Sequence, residues 1–205
     1  MKFLKIYSIA FLLGLITYPV LPQNTNVYFI DPGIGVGKLK LNLSKEQAFK
    51  IVGEPEIREN YSEAVINISN LKSNPYNWIA FQLGFDSVFT YTQGSESYPV
   101  YSLYFKSDSL VCISLSAFNY KKWWIENFTI QKKVYLNNDV QVLLDSLPNY
   151  NCIMDYSQGK IEFKTYVYFA EGLSVLVYKD KVKMIEIFRK TSLFDLYKTE
   201  GFQFK

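Results

Sequence analysis

Residues 37–55 carry the densest set of local structural signals in this chain. Ser44 and Gln47, three residues apart, have the pattern of a capping box, in which each residue satisfies a free backbone group at the start of a helix. The apolar positions that follow recur at helical spacing: Ala48, Phe49, Ile51 and Val52. Gly53 and Pro55 are a typical helix end, because glycine accepts a left-handed backbone and proline cannot continue a helix. The segment therefore predicts a short strand, a capped helix and a sharp stop.

A looser copy of this pattern begins near Thr129. Asn137 or Asn138 can cap a second helix, and Pro148 follows Leu136 at the spacing at which Pro55 follows Leu43. The apolar face of this helix is predicted to contain Val140, Leu143, Leu144 and Leu147. Strand-like segments at 100–115 and 173–188 each contain a central polar turn and read as hairpins.

This duplication predicts an α+β fold of two tandem modules, each a helical element packed on an antiparallel β-sheet. The first module is predicted to span residues 23–120 and the second residues 121–205.

The N-terminus predicts export. Lys2 and Lys5 precede an apolar run over residues 6–16, which describes a secretory signal over residues 1–22, with an uncleaved anchor as the alternative. The run is shorter than the roughly 20 apolar residues of a membrane span, so no stable span is expected after signal removal. We therefore expect a periplasmic or secreted protein. Export would permit a disulfide between Cys112 and Cys152 without requiring one.

Composition limits the chemistry. The chain contains no histidine, which removes Ser-His-Asp catalysis and the usual zinc ligands, so we expect no metal, no cofactor and no enzyme. Glu162 and Glu186 could share one sheet face as a carboxylate pair, although solvated strand charges are favoured. The glycine-rich residues 33–38 lack the Gly-Lys-Ser/Thr ending of a phosphate loop and predict a flexible loop instead. The net charge of +3 with scattered lysines predicts no nucleic-acid partner.

Tyrosine is unusually frequent, and strand alternation suggests where some tyrosines lie. Between residues 161 and 169, the apolar positions Phe163, Val167 and Phe169 read as core-facing. Tyr166 and Tyr168 would then occupy the opposite, exposed face, and Tyr178 of the next strand would join them. These three tyrosines are the predicted binding residues, and a Tyr-rich sheet half covered by the other module is the alternative.

The first copy resembles a known family through a set of mostly structural positions: Gly37, Leu41, Leu43-Ser44, Ile51-Val52-Gly53 and Pro55. It is similar to the module shared by the β-lactamase-inhibitor-protein-like proteins and the small outer-membrane assembly lipoproteins of the SmpA/OmlA type. The resemblance implies a helical element packed on an antiparallel sheet and, in tandem, one extended sheet surface.

Together these features predict an exported, non-enzymatic protein that binds a protein partner. One alternative is a glycan-binding or carboxylate-dependent glycan-cleaving envelope protein. The other is a structural envelope component.

Overall fold

A computed structural model describes residues 28–60, 83–92, 101–118, 128–158, 161–190 and 203–204. The predicted signal over residues 1–22 and the predicted module boundary near residue 120 lie outside this range, so both stay predictions. Two helices lie wholly within it, α1 (Lys45–Val52) and α2 (Val140–Ser146). Neither is long or apolar enough to cross a bilayer, and the same holds for every helix in the described ranges.

Five described strands form a small sheet. Their spatial order is β3 (Leu39–Lys40), β2 (Gly35–Val36), β1 (Tyr28–Asp31), β8 (Phe128–Ile130) and β9 (Val134–Tyr135). The central pair, β1 and β8, runs parallel and joins strands that are distant in the chain. The outer strands pair antiparallel with their neighbours.

Nine described strands form a large sheet whose neighbours all pair antiparallel. Their spatial order is β14 (Gln203–Phe204), β10 (Cys152–Gln158), β11 (Ile161–Tyr168), β12 (Leu173–Tyr178), β13 (Lys181–Phe188), β7 (Ser109–Ser116), β6 (Tyr101–Lys106), β5 (Ser87–Tyr91) and β4 (Ile57–Asn60). Both predicted hairpins, β6–β7 and β12–β13, are confirmed. We call the pairing of β7 with β13 the seam, because it joins strands from the two halves of the chain.

The main core lies on one side of the large sheet, which we call the first face. Apolar side chains from this face, the small sheet and both helices form one buried cluster that includes Leu103, Ile113, Val175, Ile185, Ile30, Ile130, Ala48 and Leu143. The opposite side, the second face, carries a smaller buried cluster of Phe163, Leu176 and Met184. Burial on both faces makes the large sheet an internal layer over much of its area.

The predicted fold class is wrong. The described residues are mostly strand, with two short helices, and each sheet draws strands from both halves of the chain. The chain therefore does not form two tandem helix-on-sheet α+β modules. The physical reason is that a lone four-stranded unit leaves unpaired edge strands, and here β7 and β13 satisfy each other's backbone groups.

Helix α1 begins as predicted. Ser44 Oγ accepts a hydrogen bond from the Gln47 backbone N–H at 3.2 Å, and Gln47 Oε1 accepts one from the Ser44 N–H at 3.0 Å. The N-cap of α2 is Asp139, whose side chain makes no capping bond, so the predicted cap at Asn137 or Asn138 is wrong. Asn137 instead has a left-handed backbone, and its N–H donates to the Val182 carbonyl, which ties this turn to β13.

The glycine-rich segment is a structured turn and not the flexible loop predicted. Gly33, with φ of +72°, donates its N–H to the Gly172 carbonyl at 3.2 Å and so connects the small sheet to the loop between β11 and β12. A Cβ at Gly172 would fall on the Phe188 carbonyl oxygen and within 2.7 Å of Gly33 Cα. Only glycine allows the two sheets to approach so closely at this point.

Removing the cap should weaken α1 measurably. We expect Ser44→Ala to lower the free energy of unfolding by about 1 kcal/mol, because the Gln47 N–H loses its acceptor. Ser44→Asp keeps an acceptor and should stay near the wild-type value in urea denaturation. Equal stability of all three proteins would contradict the capping role.

The close approach at Gly172 should make it sensitive to a single methyl group. Gly172→Ala should lower the free energy of unfolding by about 1–3 kcal/mol more than Gly53→Ala. Gly53 is the matched control, because it also has a positive φ but a Cβ added there would meet no atom within 4 Å. Equal losses in thermal or urea denaturation would show that the sheets can separate there without cost.

Candidate functional site

Two of the three predicted binding tyrosines are buried. Tyr166 is 7% exposed and Tyr168 is 1% exposed, so their predicted exposure is wrong. Tyr168 Oη donates to the Leu147 carbonyl at 2.9 Å, and the ring of Tyr150 packs edge-on against both tyrosines. Both lie on the first face, within the main core, and burial raises the pKa of each phenol. Their binding role stays a prediction that this burial does not support.

Tyr178 lies on the other side of the sheet. The register places Val175 beside Tyr166, so Tyr178 pairs with Phe163 on the second face. It is half-buried, with its ring centroid 5.0 Å from that of Phe163, and the Lys179 ammonium lies over the ring. The three predicted binding residues therefore do not form one surface.

Exposed aromatic rings occur instead on the small sheet. Tyr28 and Phe29 of β1 are 42% and 43% exposed. The Tyr28 ring stacks on Phe128 of β8 at 5.4 Å, and the Lys132 ammonium lies 5.4 Å from the centre of the Phe29 ring. Consecutive apolar residues in a strand cannot all face one core, and this signal was present in the Tyr28-Phe29-Ile30 run.

Two exposed lysines lie in the turns of the small sheet, Lys38 between β2 and β3 and Lys132 between β8 and β9. Lys38 is exposed and follows Gly37, whose N–H donates to the Phe29 carbonyl at 3.0 Å. Asp31 is already neutralised by Lys40 at 2.8 Å, whereas neither Lys38 nor Lys132 forms a salt bridge with an acidic residue in the described ranges. Tyr28 and Phe29 are consecutive in β1, so their side chains leave the small sheet on opposite sides, Tyr28 on the side of the buried Ile30 and Phe29 on the other. We call Phe29 and Lys132, which lie together, the aromatic–lysine patch.

A second distinctive feature is a buried line of five polar side chains on the second face, four of which carry hydroxyl groups. Register pairs them directly across five strands, β5, β6, β7, β13 and β12, in the order Thr90, Ser102, Ser114, Glu186 and Ser174. All five residues are buried. We call this set the hydroxyl row. Thr90 and Ser102 lie 3.2 Å apart through their hydroxyl oxygens, so part of the row satisfies itself.

Glu186 is the ionisable member of the hydroxyl row and is only 1% exposed. Its Oε2 accepts a hydrogen bond from Ser174 Oγ at 2.8 Å, while its Oε1 is buried without a hydrogen-bond partner. Burial raises the pKa of this carboxyl from 4.5 to about 7, although the Ser174 bond opposes the shift. Burial also raises the pKa of the neighbouring Cys112 thiol well above its usual range, and the Glu186 charge adds to that effect.

The predicted carboxylate pair does not form. Glu186 pairs with Ser174, which pairs with Val167, so Glu186 shares the second face with the odd-numbered residues of β11. Glu162 lies on the first face of that strand and is exposed. The prediction of a shared face is therefore wrong. The two carboxyls cannot flank one glycosidic bond, as catalysis by a carboxylate pair requires.

The cysteines are both free and buried. Cys152 is on β10 and Cys112 is on β7, with three strands between them in the large sheet. Neighbouring strands are about 4.8 Å apart, so the two residues are far beyond disulfide reach. Within the described ranges, no three His, Cys, Asp or Glu side chains gather as a metal site would need.

Comparison with known proteins does not assign this chain to a family. No model of a protein family matches this chain, and no curated protein matches it. Among solved structures, the chain is similar to an extracellular protein containing a SCP domain from Bacillus anthracis str. Ames, with 11% sequence identity and a TM-score of 0.42. The match covers 80% of this chain and 48% of that one, so this chain spans about half the length of its structural neighbour.

The tyrosine placement can be tested by truncation. Tyr168→Ala should lower the free energy of unfolding by about 3–5 kcal/mol, because it opens a cavity in the main core. Tyr178→Ala is the matched control. Because Tyr178 is half-buried on the second face, this change should lower the free energy of unfolding by clearly less. If Tyr168→Ala left the urea midpoint unchanged, Tyr168 could not lie in the core.

Proposed function

We propose that this chain is an exported, non-enzymatic protein that binds a protein partner through the aromatic–lysine patch. The single observation that carries the proposal is the exposed ring of Phe29, in the central strand of the small sheet, with the Lys132 ammonium over it. Aromatic side chains are enriched where proteins meet, because they bury large areas at little entropic cost. Export, to the periplasm or the exterior, follows from the predicted signal over residues 1–22.

The character of the patch favours a protein partner over a small ligand. Small-molecule sites are usually concave, whereas Phe29 belongs to the central strand of a sheet and remains 43% exposed. Phe29 has no polar group with which to orient a sugar, and Lys132 lies over its ring. A carboxylate from a partner could meet that ammonium while an apolar side chain covers the ring.

The charges around the patch favour an acidic partner surface. Lys132 has no acidic partner among the described side chains, and Lys40 balances the nearby Asp31. Complementary charges at an interface raise the association rate and select among partners more than they raise affinity. Binding through this patch should therefore weaken at high salt.

We expect Phe29→Ala to reduce partner binding by about tenfold, the loss typical of a moderate hot-spot residue. The measurement is affinity capture from the native organism's envelope and secreted fractions, followed by titration of the captured protein. Ile34→Ala is the matched control, because Ile34 is also an exposed apolar residue but lies outside the patch.

Three outcomes would overturn the proposal. One is equal capture by Phe29→Ala and the wild-type protein. Another is an equal loss of binding with Ile34→Ala. The third is capture of polysaccharide without any protein. Lys132→Glu should weaken binding further and remove most of its salt dependence, and an unchanged salt dependence would contradict the acidic character of the partner.

A further inference from the structure

Glu186 occupies a position that the proposed binding function does not use. It lies on β13 at the seam, directly opposite Ser114 of β7, with Ser174 of β12 on its other side. The seam is where strands from the two halves of the chain join. A change in the charge of Glu186 therefore affects the strand pairing that joins the two halves of the chain into one sheet.

The surroundings of Glu186 suit a neutral acid and not a carboxylate. One of its oxygens accepts from Ser174, and the other has no hydrogen-bond partner although it is fully buried. An ionised carboxylate accepts several hydrogen bonds and is costly to bury without them. No described lysine or arginine pairs with it, since the salt bridges in the described ranges involve other carboxylates.

We propose that Glu186 is a buried proton-binding site at the seam of the large sheet, and that the seam weakens when this carboxyl loses its proton. The groups that face it support this assignment. Ser174 and Ser114 do not titrate, and Cys112 on β7 stays a neutral thiol because it is fully buried. Tyr104 of β6 lies beyond Cys112 in the same register. Among the described groups, Glu186 is therefore the one on this part of the second face that changes charge near neutral pH.

The direction of the pH effect follows from linkage. Below pH 4.5 the acid is protonated whether the chain is folded or unfolded, so its contribution to stability is fully present. Between pH 4.5 and about 7 the unfolded chain loses this proton while the folded chain keeps it, so stability falls as pH rises. Above that window both states are ionised and the loss is complete. The unfolding constant should rise about tenfold per pH unit inside the window, or about 300-fold in total.

The test compares urea denaturation of wild type and Glu186→Gln from about pH 4 to about pH 8. Glutamine keeps the shape of the protonated acid and cannot ionise. The ratio of wild-type to variant unfolding constants should therefore rise through the window and then level off. Glu162→Gln, an exposed carboxyl on β11, is the matched control and should follow wild type at every pH. A ratio for Glu186→Gln that is independent of pH would overturn the proposal.

Two measurements keep the proposal testable if Glu186→Gln does not fold. Carbon-13 NMR of the glutamate side chains in the wild-type protein should show one carboxyl that titrates near neutral pH, and none doing so would refute the site. Hydrogen exchange, corrected for the intrinsic pH effect, should speed up in β7 and β13 above neutral pH more than in β4 and β5. Equal acceleration in all four strands would show that the effect is not located at the seam.

Discussion

The pairing of β7 with β13 is the contact on which the rest of the structure depends. Its register places Ile185 beside Leu115 and Ile187 beside Ile113, which extends the main core across both halves of the chain. The same pairing satisfies the backbone of two strands that would otherwise be edges, and exposed edges are sites of uncontrolled association. The apolar first face is continuous across this pairing and packs with the small sheet and both helices in one cluster.

The two faces of the large sheet carry different chemistry because side chains alternate along every strand. The first face holds large aliphatic and aromatic residues, whose burial contributes most of the stability. The second face holds the hydroxyl row, where hydroxyls pair with each other and with Glu186 across strands. Because Glu186 is buried with an incomplete set of hydrogen bonds, the pKa of its carboxyl is raised toward neutral pH.

Both proposed activities depend on contacts between the halves of the chain. The aromatic–lysine patch joins Phe29 of β1 to Lys132, which follows β8, and β1 and β8 pair in parallel from the two halves of the chain. The proton site lies at the seam, on the second face of the other sheet. A partner bound at the patch would therefore contact residues from both halves of the chain. Ionisation at the proton site would lower the stability of the pairing between those halves.

The sequence by itself determined the local structure of this protein. The Ser44–Gln47 capping box, the end of α1 at Gly53 and both hairpins are set by neighbours within a few residues, so short-range rules find them. Alternation also showed that Tyr166 and Tyr168 share a face, but not that this face lies in the main core, with the Tyr150 ring against both tyrosines. Only the tertiary structure decided which strands are neighbours, and so placed Glu186 apart from Glu162 and left Tyr28 and Phe29 exposed. The physical reason is that a strand's own pattern fixes which residues point the same way, whereas burial, charge and partners depend on backbone pairing between residues far apart in the chain.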